Sequence, residues 1–418
     1  MSTYVLPFAT GSSFPEGDLT VLTAGIPRYI AFGGGNHVAF SFFVSPVNLS
    51  VKEILSGYTL APNSALTGTE SILVSLLRND AIVSVCTLTA SQKCCRSSKL
   101  DCCNIIVCKG DLLRIRIELI ANSGRSIQTQ VFGSLSFEAS RSIIAFSSGN
   151  LHHLVPGEPR FIVFGGGIQS SGAYFIAPSN ANINLCAAVS SSELLSNEFV
   201  TFTLQRGSSP ETLIDVLSVA TRGPSVCAEP IFINRGDFLR LKVEITAAAQ
   251  RLLLLGAGLG VASTGSWWNW SPGGLNLLQP LGVNQTVTFG GFFHPDTEGF
   301  INSKNGVLSG LITHVGPGVL QAGEEIKVNL LVVPFCFDSG CKSGFNGTLC
   351  TLTNSQNTCQ ISTNVAIRKG DFVALQVLLN GQTARRITFA ASALFQTKDQ
   401  LKCPAKCLVK RPVKCKKC

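Results

Sequence analysis

Two short sequence phrases occur three times each in this chain of 418 residues. The first, an apolar run closing in Phe-Gly-Gly, stands at residues 26–35, 158–167 and 285–291; the second, Lys/Arg-Gly-Asp before another apolar run, stands at 109–115, 235–241 and 369–375. Asp111, Asp237 and Asp371 are spaced by 126 and 134 residues, far more than the ~20–50 residues of a solenoid unit. This is the length of a whole domain. The sequence therefore predicts one module in three copies, at 1–140 (copy one), 141–265 (copy two) and 266–396 (copy three), followed by a tail at 397–418.

Strand signals dominate each copy. Residues 112–120 alternate apolar and polar side chains, which places Arg114, Arg116 and Glu118 on one face, and residues 238–245 repeat the pattern. The chain is 45% hydrophobic, only 14% charged, and has 40 glycines but a single methionine. We therefore predict an all-β chain of three tandem antiparallel β-sandwiches of the jelly-roll type. Residues 49–58 fit either a short helix or a bent strand.

The repeated glycines and aspartates are interpreted as turn residues. Glycine reaches a positive φ at low cost, and aspartate can accept hydrogen bonds from nearby backbone ahead of a strand. The candidate turn residues are Gly33, Gly110, Asp111, Gly165, Gly236, Asp237, Gly290, Gly370 and Asp371. The Arg235–Gly236–Asp237 tripeptide also matches an integrin ligand, but lysine replaces arginine in the other copies, which favours a structural role.

Catalytic chemistry has little support in the sequence. The five histidines have no recognisable metal-binding or catalytic spacing, and no nucleophile elbow, P-loop or dinucleotide fingerprint is present. The Phe-Gly-Gly-Gly run has no following Lys-Ser/Thr and no helix to bind a phosphate. We expect no enzyme activity and no cofactor.

Sixteen cysteines carry the distinctive chemistry of the chain. The matched segments at 86–94 and 350–359 predict local disulfides from Cys86 to Cys94 and from Cys350 to Cys359. Further cross-linking candidates are Cys95, Cys102, Cys103 and Cys108 in copy one, and Cys336 and Cys341 in copy three. Copy two has only Cys186 and Cys227, from which we infer that the module does not need its cysteines in order to fold.

The tail concentrates both charge and thiols. Residues 398–418 carry a net charge of +7 out of +9 for the whole chain, and contain Cys403, Cys407, Cys415 and Cys418. Neighbouring lysines lower thiol pKa values and favour disulfide exchange, so cross-linking to a neighbouring subunit is the preferred interpretation. Intrachain disulfides and, more weakly, a zinc site on these four cysteines remain alternatives. The nearly neutral body gives no reason to expect nucleic-acid binding.

The start of the chain and its hydropathy predict how it reaches an oxidising setting. Residues 1–7 lack the basic and apolar regions of a signal peptide, and no apolar run reaches the ~18 residues that span a bilayer. Many cysteines without an export signal predict synthesis inside a cell that later lyses. We therefore expect an extracellular location without a signal peptide or a membrane span.

The opening of copy one resembles the jelly-roll tip domains of spore-surface (exosporium) glycoproteins of endospore-forming Firmicutes, which are similar to C1q and tumour-necrosis-factor trimers. The resemblance lies in Leu6–Pro7–Phe8–Ala9–Thr10–Gly11–Ser12, residues 19–22 with Gly25, Phe32–Gly33, residues 38–41 and the final strand at 129–137. It implies a C1q-like fold, release of the protein when the mother cell lyses, and a single-chain pseudo-trimer. The cysteine-rich tail resembles spore coat and appendage proteins.

These observations predict a structural, self-assembling spore-surface protein (exosporium, coat or appendage) cross-linked by disulfides. Its expected partners are further copies of itself and other spore-surface proteins. One alternative is a viral or phage capsid or spike protein, because jelly rolls also build particles. The other is a glycan- or receptor-binding surface module.

Overall fold

The computed structural model is built almost wholly of β-strands. It describes residues 1–10, 20–30, 36–37, 41–99, 105–149, 151–162, 168–169, 174–190, 194–223, 225–270, 276–278, 285–287, 293–294, 299–316, 320–336 and 344–401. Over these ranges the helices are one 3-10 turn at Pro210–Thr212 and one α-helix, α1, at Lys398–Leu401. No helix in these ranges is both long enough and apolar enough to cross a membrane.

The strands follow one another through the three copies. Copy one contains β1 (Ser2–Ala9), β2 (Thr20–Thr23), β3 (Arg28–Ile30), β4 (Asn36–His37), β5 (Phe43–Val44), β6 (Leu49–Leu60), β7 (Ser71–Arg78), β8 (Ala81–Thr89), β9 (Cys94–Arg96), β10 (Ser98–Lys99), β11 (Ile105–Val107), β12 (Leu112–Ile120) and β13 (Ser126–Ala139). Copy two contains β14 (Ser142–Ser147), β15 (His152–Leu154), β16 (Arg160–Ile162), β17 (Ile168–Gln169), β18 (Phe175–Ile176), β19 (Ala181–Ser190), β20 (Phe199–Gly207), β21 (Ile214–Thr221), β22 (Val226–Cys227), β23 (Ile231–Ile233), β24 (Phe238–Thr246) and β25 (Arg251–Ala262). Copy three contains β26 (Ser266–Trp270), β27 (Asn276–Leu278), β28 (Gln285–Val287), β29 (Phe293–His294), β30 (Phe300–Ile301), β31 (Gly306–Val315), β32 (Glu325–Pro334), β33 (Phe345–Thr353), β34 (Thr358–Ile367), β35 (Asp371–Asn380), β36 (Arg385–Ile387) and β37 (Phe389–Thr397).

All three copies have the same strand order. One sheet runs β1-β13-β6-β11 in copy one, β14-β25-β19-β22 in copy two and β26-β37-β31-β34 in copy three. The facing sheet is built on β3-β12-β7-β8, β16-β24-β20-β21 and β28-β35-β32-β33. In each copy the first strand therefore pairs with the last (β1 with β13, β14 with β25, β26 with β37), and the third strand pairs with the strand that follows the Lys/Arg-Gly-Asp turn (β3 with β12, β16 with β24, β28 with β35). This antiparallel arrangement is that of a jelly-roll sandwich and confirms the predicted fold class.

Alternating side chains fill the space between the sheets. In β12, Leu113, Ile115, Ile117 and Leu119 are buried, as the period of two requires. The opposite face of β12 is less exposed than the alternating pattern predicts, because Arg114 on that face is also buried. The Arg114 side chain forms an ion pair with Asp80, and its guanidinium lies 5.6 Å from the ring centre of Phe42. Residues 49–58, which fit either a helix or a strand, belong to β6; the pairing of β6 with β13 shifts register between Ser136 and Phe137, as at a β-bulge.

The Lys/Arg-Gly-Asp phrase forms the same turn in each copy. Gly110, Gly236 and Gly370 have φ values of 95°, 89° and 89°, in the region that favours glycine. The carboxylates of Asp111, Asp237 and Asp371 accept hydrogen bonds from the backbone N–H three residues earlier, at 2.7, 2.8 and 2.7 Å. Gly33, Gly165 and Gly290 lie outside the described residues.

A second repeated device joins two loops of each copy. Glu70, Glu198 and Glu324 each bind an arginine 53–61 residues later, namely Arg125, Arg251 and Arg385. Each glutamate also accepts a backbone N–H three residues before it, at 2.9, 3.0 and 2.8 Å. The arginine lowers the pKa of all three carboxyl groups, with the backbone hydrogen bond as the largest cause for Glu70. This Glu–Arg clasp was not predicted from the sequence.

Candidate functional site: the seams between copies

The three copies pack in a closed cycle, through three equivalent interfaces that we name seam 1–2, seam 2–3 and seam 3–1. At each seam a short strand of one copy (β5, β18 or β30) packs against the last strand of the next copy (β25, β37 or β13). At seam 3–1, Ser134 donates to the Ile301 carbonyl at 2.6 Å, and at seam 2–3 the Ile176 N–H donates to Ser392 at 3.4 Å. At seam 1–2 the corresponding residues are Val44 and Gly258, where a Cβ on the glycine would lie 2.1 Å from the Val44 oxygen.

Each seam is closed by a small apolar cluster. Seam 1–2 contains Phe42, Val44, Cys186, Ala188 and Leu254. Seam 2–3 contains Tyr174, Ile176, Phe238, Ile312 and Ala390. Seam 3–1 contains Ala9, Leu55, Phe132, Ile301, Phe372 and Ala374. Because one face of each copy packs on a second, different face of the next copy, these head-to-tail contacts close into a ring.

The first strands of the copies lie against one another where the seams meet. Strands β1, β14 and β26 contact each other pairwise. The Val5 N–H donates to Ser266 at 2.8 Å, and Trp268 donates from its ring N–H to the Val5 carbonyl at 3.4 Å. Trp267, Trp268 and Trp270 are fully buried. This arrangement is a single-chain pseudo-trimer, as the fold prediction proposed.

The Lys/Arg-Gly-Asp turns also reach across the seams. Ser225 donates to the Gly110 carbonyl at 2.9 Å across seam 1–2. Across seam 2–3, Arg235 donates to the Gln360 side-chain oxygen at 2.6 Å in the amide orientation that satisfies both groups. Thus one turn, built by local hydrogen bonds within a copy, also supplies a contact to the next copy.

Across seam 3–1 the same turn forms a salt bridge. The Lys369 ammonium lies 2.6 Å from both carboxylate oxygens of Glu53, which also accepts from Arg96 at 2.6 Å. Burial lowers the pKa of Lys369, and Glu53 opposes that effect. A carboxylate shared by two cations holds the turn of copy three on copy one.

The cysteine pairing of copy one differs from the prediction. Cys86 is bonded to Cys95, not to Cys94, with a Cα–Cα distance of 5.7 Å. In copy three, Cys350 is bonded to Cys359 with a Cα–Cα distance of 6.2 Å. Neighbouring strand residues point to opposite faces, so Cys95 points into the sandwich of copy one while Cys94 points outward. Both bonds span nine residues, a match in spacing that identifies Cys95 as the equivalent of Cys359.

Cys94 instead closes seam 3–1 covalently. It is bonded to Cys336, 242 residues later in copy three, with a Cα–Cα distance of 5.4 Å. Phe132, Phe335 and Phe372 surround this bond, and the Phe132 ring lies 5.3 and 5.2 Å from the other two rings. Sequence spacing cannot identify a partner so distant in the chain.

The remaining cysteines divide into bonded and undescribed residues. Cys186 and Cys227 form a disulfide within copy two, at seam 1–2, so each of the three copies contains an internal bridge. Cys108 also takes part in a disulfide. Cys102, Cys103, Cys341, Cys403, Cys407, Cys415 and Cys418 lie outside the described residues. In the described part of the chain, no cluster of three or more potential ligands could hold a metal ion, and the four tail cysteines are not within that part.

Comparisons with known proteins do not assign the chain to a family. No family of known proteins and no curated protein matches it. Among solved structures it is similar to PNGF-II (10% identity, TM-score 0.21, covering 86% of this chain and 100% of the other). It is also similar to a protein of Sulfolobus Turreted Icosahedral Virus (9% identity, TM-score 0.19, covering 94% of this chain and 90% of the other). A third similar structure is the VP2 subviral particle of infectious bursal disease virus (9% identity, TM-score 0.21, covering 85% of this chain and 75% of the other). At these TM-scores the similarities carry no argument about function.

Proposed function

We propose that this chain is a structural, self-assembling protein of the bacterial spore surface, in which each chain supplies one three-copy ring and disulfides join rings to one another. The observation that carries the proposal is the Cys94–Cys336 bond, which ties the first copy to the third. A ring closed covalently within one chain is a preassembled building block. It needs no oligomerisation step before it joins a larger structure.

The distribution of disulfides supports an oxidising final location. Bonds are present within all three copies, at Cys86–Cys95, Cys186–Cys227 and Cys350–Cys359. Disulfides of this kind persist outside the reducing cytosol. Among such locations, the resemblance in residues 6–12 favours the spore surface, and it implies synthesis in the mother cell followed by release when that cell lyses.

The tail is the proposed link between rings. Its lysines repel one another and its two prolines, Pro404 and Pro412, favour extended backbone, so we expect it to reach a neighbouring ring. Its thiols then exchange with cysteines on that ring. In exchange, a tail thiolate attacks a disulfide of that ring, forms the new bond between rings and releases the other sulfur of the old bond as a thiolate. Where both partners are thiols, dioxygen takes up their two electrons and two protons as hydrogen peroxide.

The test begins with full-length protein purified under reducing conditions and then oxidised in air. We expect sedimentation velocity and negative-stain microscopy to show large species that persist in denaturant and dissociate only with reductant. The matched variant replaces Cys403, Cys407, Cys415 and Cys418 with serine. A native chain that stays a single ring after oxidation would refute the assembly proposal. Immunogold labelling of intact spores tests the location, and labelling of virions alone would refute it.

A further inference from the structure

Seam 2–3 contains a buried imidazole. His314 lies on β31, is 4% exposed, and packs against two rings of copy two. Its ring centre is 4.9 Å from that of Phe238, at an interplanar angle of 82°, and 6.1 Å from that of Tyr174, at 62°. Its Nδ1 hydrogen-bonds to the Thr358 hydroxyl at 2.8 Å. Its Nε2 is buried and has no hydrogen-bond partner within the described residues.

The equivalent positions in the other two copies carry no titratable group. His314 is opposite Ala390, two residues before Ser392 on the last strand. By the same register, Gly57 is opposite Phe132 in copy one and Ala188 is opposite Gly256 in copy two. The three seams are therefore alike in geometry but differ at this position, where only seam 2–3 has a side chain that gains charge in mild acid.

The surroundings of His314 favour its neutral form. Burial lowers its pKa to about 4, while the Glu211 carboxylate of copy two acts in the opposite direction. Tyr174 stays neutral, because burial raises its pKa to about 12. Asp237, which precedes Phe238, accepts from the Asn234 N–H, and Arg235 contacts Gln360 on the β34 strand that also carries Thr358. No acceptor in the described seam is placed to receive a proton from Nε2 of an imidazolium.

We propose that seam 2–3 is an acid-sensitive joint, at which protonation of His314 separates copy two from copy three while the other seams stay closed. Water must reach the imidazolium, and it can do so only if the Tyr174 and Phe238 rings leave the face of copy three. Seam 3–1 stays closed because the Cys94–Cys336 bond holds it. The ring therefore opens at one defined place. This inference concerns the single chain and does not depend on the assembly proposed above.

The test is hydrogen exchange of the oxidised full chain between pH 7 and pH 4. We expect the opening equilibrium of segments 174–177 and 388–391 to rise on the order of 100-fold between pH 6.5 and pH 4. Segments 42–45 and 254–258, at seam 1–2, should change little after correction for the intrinsic exchange rate. The variant His314→Ala, which introduces the residue found at the equivalent position of copy two, should lose the acid response of seam 2–3. His153→Ala, an exposed histidine of copy two, should keep it.

A second variant and a direct titration keep the proposal testable if His314→Ala does not fold. His314→Gln retains a polar side chain of similar size without a titrating group, and should also lose the response. Nuclear magnetic resonance of the native chain labelled in its histidine rings should show one imidazole titrating well below the others. Acid opening of seam 2–3 that is the same in native chain and His314 variants would overturn the proposal, and so would a native seam that stays closed at pH 4.

Discussion

Cys94 of copy one is disulfide-bonded to Cys336 of copy three, although 242 residues separate them in the sequence. The bond lies at the seam where the third copy meets the first. It thus joins the two copies that the chain itself connects only through copy two. The disulfide between Cys86 and Cys95, the residue next to Cys94, instead joins two strands of the same sandwich in copy one.

Removal of the inter-copy bond should destabilise the chain more than removal of a local bond. In the loop-entropy description, opening a loop of more than 200 residues costs about 5 kcal/mol, against about 3 kcal/mol for a nine-residue hairpin. We therefore expect Cys94→Ser/Cys336→Ser to lower the free energy of unfolding in guanidinium more than Cys350→Ser/Cys359→Ser does. Equal losses in the two double variants would show that the ring closure contributes no more than a hairpin. Non-reducing peptide mapping should recover the Cys94–Cys336 cross-link from native protein.

A methyl group at the middle of seam 1–2 should force copies one and two apart. A Cβ on Gly258 would lie 2.1 Å from the Val44 carbonyl oxygen and 2.9 Å from Pro46. We expect Gly258→Ala to cost roughly 1–3 kcal/mol of stability, as overpacking does in a well-packed core. Gly223→Ala is the matched control, because nothing lies within 4 Å of a Cβ there. If Gly258→Ala and Gly223→Ala had the same melting temperature, that result would argue against tight packing at the seam.

The Glu–Arg clasp of copy two should contribute stability that acid removes. Arg251, together with the Leu195 N–H, lowers the pKa of Glu198 to about 2. Because the folded pKa is below the unfolded value of about 4.5, the contribution is complete above pH 4.5 and is lost as the pH falls toward 2. Glu198→Gln should unfold more easily at pH 7 and lose less stability on acidification than native protein. Glu158→Gln, which removes an exposed pair with Arg160, should retain the native pH profile.

Truncation after Leu401 should separate folding from cross-linking. The three sandwiches end with β37 and α1, so we expect the truncated chain to keep its melting temperature and its β-rich circular dichroism. Oxidised assemblies of the truncated chain should dissociate in denaturant without reductant, whereas those of the full chain should persist. The four tail cysteine-to-serine changes test the thiols without shortening the chain. Assemblies of either variant that resist denaturant like the native ones would exclude the tail as the cross-linker.

Local patterns explain why the fold class was predictable. The alternation in β12 and the turns at Gly110, Gly236 and Gly370 depend on residues close together in the chain. Their periodicity and turn chemistry are therefore visible in any one copy. The Glu–Arg clasps were missed because each pair is separated by more than fifty residues and neither residue is distinctive alone.

The cysteine pairings show where sequence reasoning stops. Aligning Cys86 with Cys350 and Cys95 with Cys359 gives both local bonds correctly. The sequence prediction instead paired Cys86 with Cys94, the residue before Cys95. The Cys94–Cys336 bond had no such signal, because it depends on how copies pack and not on how one copy folds.

The sequence by itself determined that the chain is a triplicated antiparallel sandwich, because strand period, turn residues and repeat spacing are local properties. Tertiary structure alone decided the cyclic order of the seams. Ser134, Gly258 and Ser392 occupy equivalent seam positions, yet share only small size, and each meets a partner more than 150 residues away. Contacts so distant in sequence are selected by the shapes of folded surfaces, since chain connectivity constrains them little.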